Sequence, residues 1–344
     1  MRQLLLDGPG SVRWAEAPDP ELDSAEAAVV RPMAVATCDI DVAVLRGRYP
    51  LEGPYPFGHE AVADVVEVGD DVRTVAPGDR VVVPFQISCG RCGPCTRGRT
   101  GNCAAHPPLS TYGLGPMGGL GWGGLLSDLA LVPHADAMLV PLPAGIDPIA
   151  VASASDNIAD GWRTVGPQLR AEPKAEVLIV GGDGGPNSIG LYAAGLAVAM
   201  GASRVVYADQ DPQRLDIAAR LGAETRDGPF PRKLGAFPIT VDASGAEDGL
   251  RCALNSTAFD GTCTSPSVYL ADPALPLLAM YSRCCTFHTG RAHVRPVIDE
   301  VLALVAAGFD PSIVTSAVVA WDDAPDALAD PPLKLVVTRL EDMG

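Results

Sequence analysis

The chain has 344 residues, 47% of them hydrophobic and 19% charged, which is long and apolar enough for two hydrophobic cores and excludes a disordered chain. A formal net charge of −17 works against nucleic acid or an anionic membrane surface as partner, and no apolar run reaches the roughly 18–20 residues of a membrane span. Met1–Gly10 carries only a short apolar patch at Leu4–Leu6, below the core of a secretory signal, so the expected compartment is the cytoplasm.

Residues 1 to about 150 read as short strands. Val29–Val30, Ala61–Val68, Arg80–Val83 and Asp128–Val132 are β-rich runs separated by Gly, Pro and Asp turns such as Pro77-Gly78-Asp79. They predict a small β-barrel or sandwich. Cys38, Asp41, His59 and Glu60 fall in this half, and each alone reads as an ordinary core or capping residue. Four of the nine cysteines cluster as Cys89-Gly-Arg-Cys92-Gly-Pro-Cys95, followed after seven residues by Cys103. In a reducing compartment these are not disulfides. Two adjoining pairs at two-residue spacing fold back as tight turns, with Gly90, Gly93 and Pro94 supplying the turn chemistry. A fourth thiolate completes a tetrahedron around a structural zinc and leaves no place for substrate. Cys252, Cys263, Cys284 and Cys285 lie in apolar stretches and are expected in the core. Gly113–Gly124, with Trp122, is a glycine-rich loop that reads equally as a connection or as a cleft wall.

From about residue 151 strands alternate with helices. Glu176–Val180 is a continuous apolar strand, followed by a glycine-rich turn and an apolar helix over Ser188–Met200. Arg204–Ala208 is the next strand, and Asp211-Pro212 opens a helix through Leu221. Strands at Ile239–Asp242, Gly261–Thr264 and Cys284–Thr289 continue the pattern. It predicts a doubly wound parallel sheet. A helix at Val297–Ala307 and a strand at Lys334–Thr338 are expected to return to the first domain. The boundaries are 1–150 with a zinc lobe at about 86–106, then 151–290, then 291–344.

The turn Gly181–Gly190 sits between strand and helix, where a dinucleotide fingerprint belongs. With Gly190 as last glycine the frame falls on Gly185, Asn187 and Gly190, so Asn stands where the middle glycine is usual. A frame beginning at Gly182 fits the helix start less well. Pyrophosphate would lie against the helix N-terminus at Ser188 and Ile189. Asp209, at the end of the second strand, would hydrogen-bond ribose hydroxyls and repel a 2′-phosphate, which favours NAD over NADP. Arg214, in the following helix, is counted with the cofactor residues.

Gly58-His59-Glu60, the cysteine lobe and the dinucleotide domain, in that order, resemble the zinc-dependent medium-chain dehydrogenases/reductases over nearly the whole chain. The likeness is greatest to formaldehyde, threonine and butanediol dehydrogenase-like members. The resemblance implies a GroES-like β-barrel catalytic domain beside a Rossmann domain. It implies a catalytic zinc on Cys38, His59 and Asp156, two zinc ions per chain, and NAD. Asp41 would orient His59, and Glu60 would be the acid that approaches the metal during ligand exchange. The implied activity is interconversion of a small-molecule alcohol with an aldehyde or ketone by hydride transfer, in a homodimer or homotetramer. Arg339 would contact pyrophosphate.

One position departs from the family. Ser or Thr commonly stands two residues after the catalytic cysteine and passes the alcohol proton outward; here it is Ile40, which relays nothing. Either water carries the proton, with Glu60 as one route, or the reaction differs. The alternatives are a carbonyl or activated-alkene reductase of this fold, or a non-catalytic nucleotide-binding protein with structural zinc only. His106, His134, His288 and His293 have no ligand-like spacing and read as surface or core residues.

Overall fold

The computed structural model describes residues 1–117 and 121–340. The chain divides into two compact units. The first comprises Met1–Ala159, His293–Leu302 and Thr315–Gly344; the second comprises Asp160–Ala292 and Ala303–Val314.

In the first unit one sheet runs, in spatial order, through strands Ala317–Ala320, Leu335–Thr338, Ala28–Ala36, Glu60–Val68, Arg80–Val83 and Val140–Pro141. Ala130–Val132 also pairs with Ala28–Ala36. A smaller antiparallel sheet joins Ser11–Glu16, Arg2–Gly8 and Tyr55–Pro56. Leu4, Leu6, Val35, Tyr55, Phe57 and Val83 are buried in the core of this unit. Two features of these strands bring charge into the interior. Glu60–Val68 is buried at both faces over its first residues, so it carries an acidic side chain, Glu60, inward. The late strand Leu335–Thr338 pairs antiparallel with Ala34–Ala36. That register sets Lys334 beside the stretch that leads into Cys38.

The second unit is a six-stranded sheet, parallel throughout. Its strands are Val177–Val180, Val205–Asp209, Glu224–Asp227, Phe237–Asp242, Thr257–Ser265 and Thr286–Thr289. Numbered from the first, they lie in the order 3-2-1-4-5-6, the doubly wound arrangement in which ligands sit where the order reverses. Val177–Val180 is central and fully buried, which is why it reads as an unbroken apolar run. Helix Asn187–Ala199 is buried from Ser188 through Ala197, matching its nearly all-apolar sequence.

Some local expectations fail. The last strand begins at Thr286, because helix Leu277–Arg283 precedes it. Cys284 closes that helix in the left-handed region, at φ 53°, and is exposed rather than in the core. Cys252 and Cys263 are buried as expected, and Cys285 is half-buried. No helix among the described residues is long and apolar enough to cross a membrane.

Candidate active site and metal centres

The cysteine lobe is assembled by local turns. Gly90 takes φ 71° between the first two cysteines, and Pro94 sits in the first turn of the short helix Gly93–Thr96. The four ligand sulfurs lie within 4.8 Å of one another. The Cys103 sulfur accepts a hydrogen bond from the Cys89 N–H at 3.4 Å, and the Cys92 sulfur accepts one from the Ala104 N–H at 3.3 Å. N–H donors from Cys95 and Ala104 lower the Cys92 pKa to about 6, so a thiolate is favoured before any metal arrives. Burial pushes Cys95 up to about 12, and a cation on the shared centre is what would reverse that.

A second group of donors comes from distant parts of the first unit. Cys38 caps helix Asp39–Leu45, and its N–H donates to Asp41 Oδ2 at 2.9 Å. His59 follows Gly58, whose φ of 88° lets the chain turn against Leu126, where a Cβ would collide at 2.9 Å. Asp156 closes the 3-10 turn Ala152–Ser155. That turn is tied to the Glu60–Val68 strand by a hydrogen bond from the Ala61 N–H to Ser155 Oγ at 3.0 Å. The ligand atoms of Cys38, His59, Glu60 and Asp156 converge within 4.8 Å, all on buried residues. Cys38 Sγ donates to Asp156 Oδ2 at 3.0 Å, and His59 Nε2 lies 3.4 Å from the same oxygen. Asp41 Oδ1 faces His59 Nδ1 at 3.4 Å.

This cluster fits a divalent cation on its own chemistry. His59 is fully buried, and neither ring nitrogen has a hydrogen-bond partner; 3.4 Å to each carboxylate is too long. Burial works against charging the ring, but Asp41, Asp156 and Glu60 outweigh it and raise the His59 pKa to about 9. Burial, then Asp156, Glu60 and Asp41, hold the Cys38 thiol far above its ordinary range. Burial raises Glu60 to about 8 against the pull of Lys334. Three buried carboxylates, a thiol and an imidazole thus converge beside one buried lysine, a density of ionisable donors that a dry interior tolerates only when protons or a cation are shared among them. Soft sulfur, imidazole and carboxylate together suit zinc.

Two members of the cluster carry no signal of this role in the sequence. Lys334 is fully buried and donates to Glu60 Oε2 at 2.8 Å, to Asn157 Oδ1 at 2.9 Å and to the Thr37 carbonyl. Asn157 also donates from its backbone N–H to Glu60 Oε1 at 3.2 Å and from Nδ2 to Cys38 Sγ at 3.1 Å. A lone lysine opening a strand is unremarkable in a sequence; Asn157 is marked only by standing next to Asp156. Thr37 is buried with its hydroxyl on the main chain of Leu335, and Ile40 packs against the core, so neither offers a hydroxyl to a substrate.

In the second unit the turn 181–186 joins strand Val177–Val180 to helix Asn187–Ala199, so Asn187 is the first helical residue and not part of the turn. Ser188 and Ile189 lie in the first helical turn, both buried. Gly185 passes so close to Ala243 that a Cβ would run into the Ala243 carbonyl oxygen. A Cβ at Gly190 would meet Ala243 Cβ at 2.9 Å, so the helix packs tightly on the sheet there. Asn187 Oδ1 is buried without a hydrogen-bond partner. Asp209 is fully buried and already occupied. Arg214 grips it through Nε at 2.8 Å and a second nitrogen at 2.7 Å, Tyr207 donates to it, and so do the N–H groups of Gln210 and Asp211. Arg214 also reaches Asp183 in the glycine turn at 2.7 Å. Burial opposes ionisation of Asp209, but Arg214 and the backbone donors hold its pKa below the usual value.

The remaining histidines divide. His106 and His134 have their Nε2 atoms 2.9 Å apart, and His134 Nδ1 lies 3.0 Å from Glu26, a pairing that spacing does not reveal. His293 Nδ1 accepts from the Gly101 N–H beside the cysteine lobe, and His288 is exposed on the edge strand. Arg339 stacks on Trp321, 3.7 Å from its ring centre, and pairs with Asp128 within the first unit. Within Gly113–Gly124, residues 118–120 lie outside the described residues; Trp122 sits edge-on to His106.

Residues 24–144 match the alcohol dehydrogenase GroES-like domain family. The chain is 32% identical, over 90% of its length and 79% of the relative's, to a probable zinc-binding alcohol dehydrogenase of Mycobacterium tuberculosis. It is 31% identical to a glutathione-independent formaldehyde dehydrogenase of Pseudomonas aeruginosa, over 75% of this chain and 66% of that one. Among solved structures it is similar to the alcohol dehydrogenase TADH from Thermus sp. ATN1, with a TM-score of 0.88, 29% identity, and 98% and 99% of the two chains covered.

Proposed function

The chain belongs to the zinc-dependent medium-chain dehydrogenase/reductase family, and from that premise we propose that it interconverts an alcohol with an aldehyde or ketone at a zinc held by Cys38, His59 and Asp156, with NAD as hydride partner. The observation that carries this reading is the buried His59 imidazole, without hydrogen-bond partners, facing Cys38 and Asp156. When bound, zinc supplies Lewis acidity toward the substrate oxygen and the dinucleotide supplies or takes up the hydride. Cys89, Cys92, Cys95 and Cys103 hold a second, structural zinc.

The protein's own residues do the rest. Asp41 Oδ1 faces the His59 ring on its Nδ1 side, and Nε2 faces the shared centre. Burial of Cys38, His59 and Glu60 keeps bulk water from the donors. The alcohol proton has no side-chain hydroxyl to follow at Ile40 or Thr37, and both Glu60 oxygens are engaged, so none of these three positions offers a free side-chain relay.

NAD is favoured over NADP by charge. Asp209, Asp183 and Asp211 surround the single guanidinium of Arg214, leaving excess negative charge where a 2′-phosphate would sit. Gly185, Asn187, Ser188, Ile189 and Gly190 form the pyrophosphate turn and helix start in this reading.

The chain is a homo-oligomer in this reading, and its surface supports that. Val268, Leu270, Leu277, Leu278 and Tyr281 are exposed in the second unit, with Leu278 at 80% and Tyr281 at 85%. On a chain of net charge −17, exposed apolar side chains are where two copies repel least.

The test is oxidation of a panel of small alcohols with NAD and with NADP, in the wild type and in His59→Ala. The expected result is turnover with NAD, weaker turnover with NADP, and a loss in His59→Ala of about 10³-fold or more, several kcal/mol of transition-state stabilisation. Equal turnover by His59→Ala contradicts the assignment.

A further inference from the structure

The cluster holds one donor too many for a catalytic zinc. Cys38, His59, Glu60 and Asp156 all bring a ligand atom within 4.8 Å of the others, which is enough to close a tetrahedron. A closed zinc site has no place for a substrate oxygen. Something must keep Glu60 out.

The structure shows what restrains it. Both Glu60 oxygens are engaged, Oε2 by Lys334 Nζ at 2.8 Å and Oε1 by the Asn157 N–H at 3.2 Å. The ammonium of Lys334 donates to Glu60 Oε2, to Asn157 Oδ1 and to the Thr37 carbonyl, one oxygen for each of its N–H groups. The lysine is fully buried, 274 residues from Glu60 along the chain, and is fixed in place by the pairing of strand Leu335–Thr338 with Ala34–Ala36. Burying an ammonium is costly unless it is paired and hydrogen-bonded, and here it is both. Asn157 links the same lysine to the donors, since its Nδ2 donates to Cys38 Sγ at 3.1 Å and lies 3.3 Å from Asp156 Oδ2.

We propose that Lys334 is a positioning residue that sets the ligand count of the catalytic zinc: it holds Glu60 on the ammonium and on Asn157, so three donors face the metal and a fourth position stays open. This rests on the metal site proposed above. Without Lys334, Glu60 keeps one restraint, the Asn157 N–H, and its unpaired carboxylate turns to the metal and closes the site.

The test uses protein loaded with cobalt(II), whose visible spectrum reports coordination, and azide as the added ligand. The cysteine lobe has no open position, so it gives no azide response. In the wild type azide changes the spectrum. In Lys334→Met the apparent azide affinity falls about 10-fold or more, the size of effect outer residues have on metal sites. Cobalt release to a chelator slows in the same variant. The double variant Lys334→Met/Glu60→Gln regains both wild-type behaviours. A general packing defect would not be repaired by a second substitution at Glu60. An azide response in Lys334→Met equal to the wild type overturns the proposal, as does a loss that the double variant fails to restore. If Lys334→Met does not fold, Glu60→Gln alone decides. The proposal predicts unchanged cobalt release, whereas release about 10-fold faster would show that Glu60 is a resident ligand and overturn it. Cobalt uptake by the cysteine lobe alone in the wild type would instead overturn the metal-site reading itself.

Discussion

The cysteine lobe and the Cys38–His59–Asp156 cluster both gather metal donors, but from opposite materials. Cys89 and Cys103 are 14 residues apart, and every donor comes from one stretch of turns. Cys38 and Asp156 are 118 residues apart, and the cluster draws on the Asp39–Leu45 helix start, the Glu60 strand, the 3-10 turn at Ala152–Ser155 and the late strand after Lys334. The lobe offers four thiols and nothing else. The cluster offers mixed donors, three of them carboxyl groups with Asp41 included, and a set of restraining residues around them. A site that only holds metal can carry its whole scaffold locally. A site that must keep one position open needs partners that point its donors and restrain the extra one.

That contrast can be broken by taking the two centres apart. Cys103→Ser should lower global stability most, by about 3 kcal/mol or more, because under the proposed assignment the lobe would lose a ligand to the metal that ties its turns together. Thermal unfolding with and without added zinc checks this; an unchanged midpoint would show the lobe is not metal-supported. Chelator treatment should release zinc in two phases, the fast one tracking loss of turnover and the slow one tracking loss of stability. A single phase would erase the distinction between open and closed sites.

Smaller effects sharpen it. Asp41→Asn should weaken zinc at the open site by about 10–100-fold and leave the lobe untouched, since Asp41 Oδ2 accepts from the Cys38 N–H and its Oδ1 places a carboxylate charge beside His59 Nδ1. Metal-buffer titration followed by activity separates the two. The smallest effect belongs to Ile40→Thr. A hydroxyl there adds a proton path, so alcohol oxidation should gain more at neutral pH than in alkaline solution. An unchanged pH profile would mean proton exit never depends on this position.

Legibility in the sequence divides along the same line. The lobe is readable because its spacing is its geometry. The parallel sheet is readable because Val177–Val180 is buried on both faces and glycines come after it. Cys38, His59 and Asp156 are readable only through resemblance, since nothing local marks residues that meet across 118 positions. Lys334 leaves no trace: its role depends on the register of Val336 with Ala36, which no short pattern encodes. Cys284 reads as core because it opens a strand-like stretch beside Cys285, whereas a left-handed helix end turns it outward. Asp209 reads as a carboxylate waiting for ribose, but the helix after it folds Arg214 back onto both oxygens.

In the proposed reading Cys38, His59 and Asp156 hold a second metal besides the one in the lobe. Elemental analysis of zinc-replete protein, wild type against the double variant Cys38→Ser/His59→Ala, tests it most directly. The expected result is two zinc ions per chain in the wild type and one in the variant. One zinc in both would contradict it.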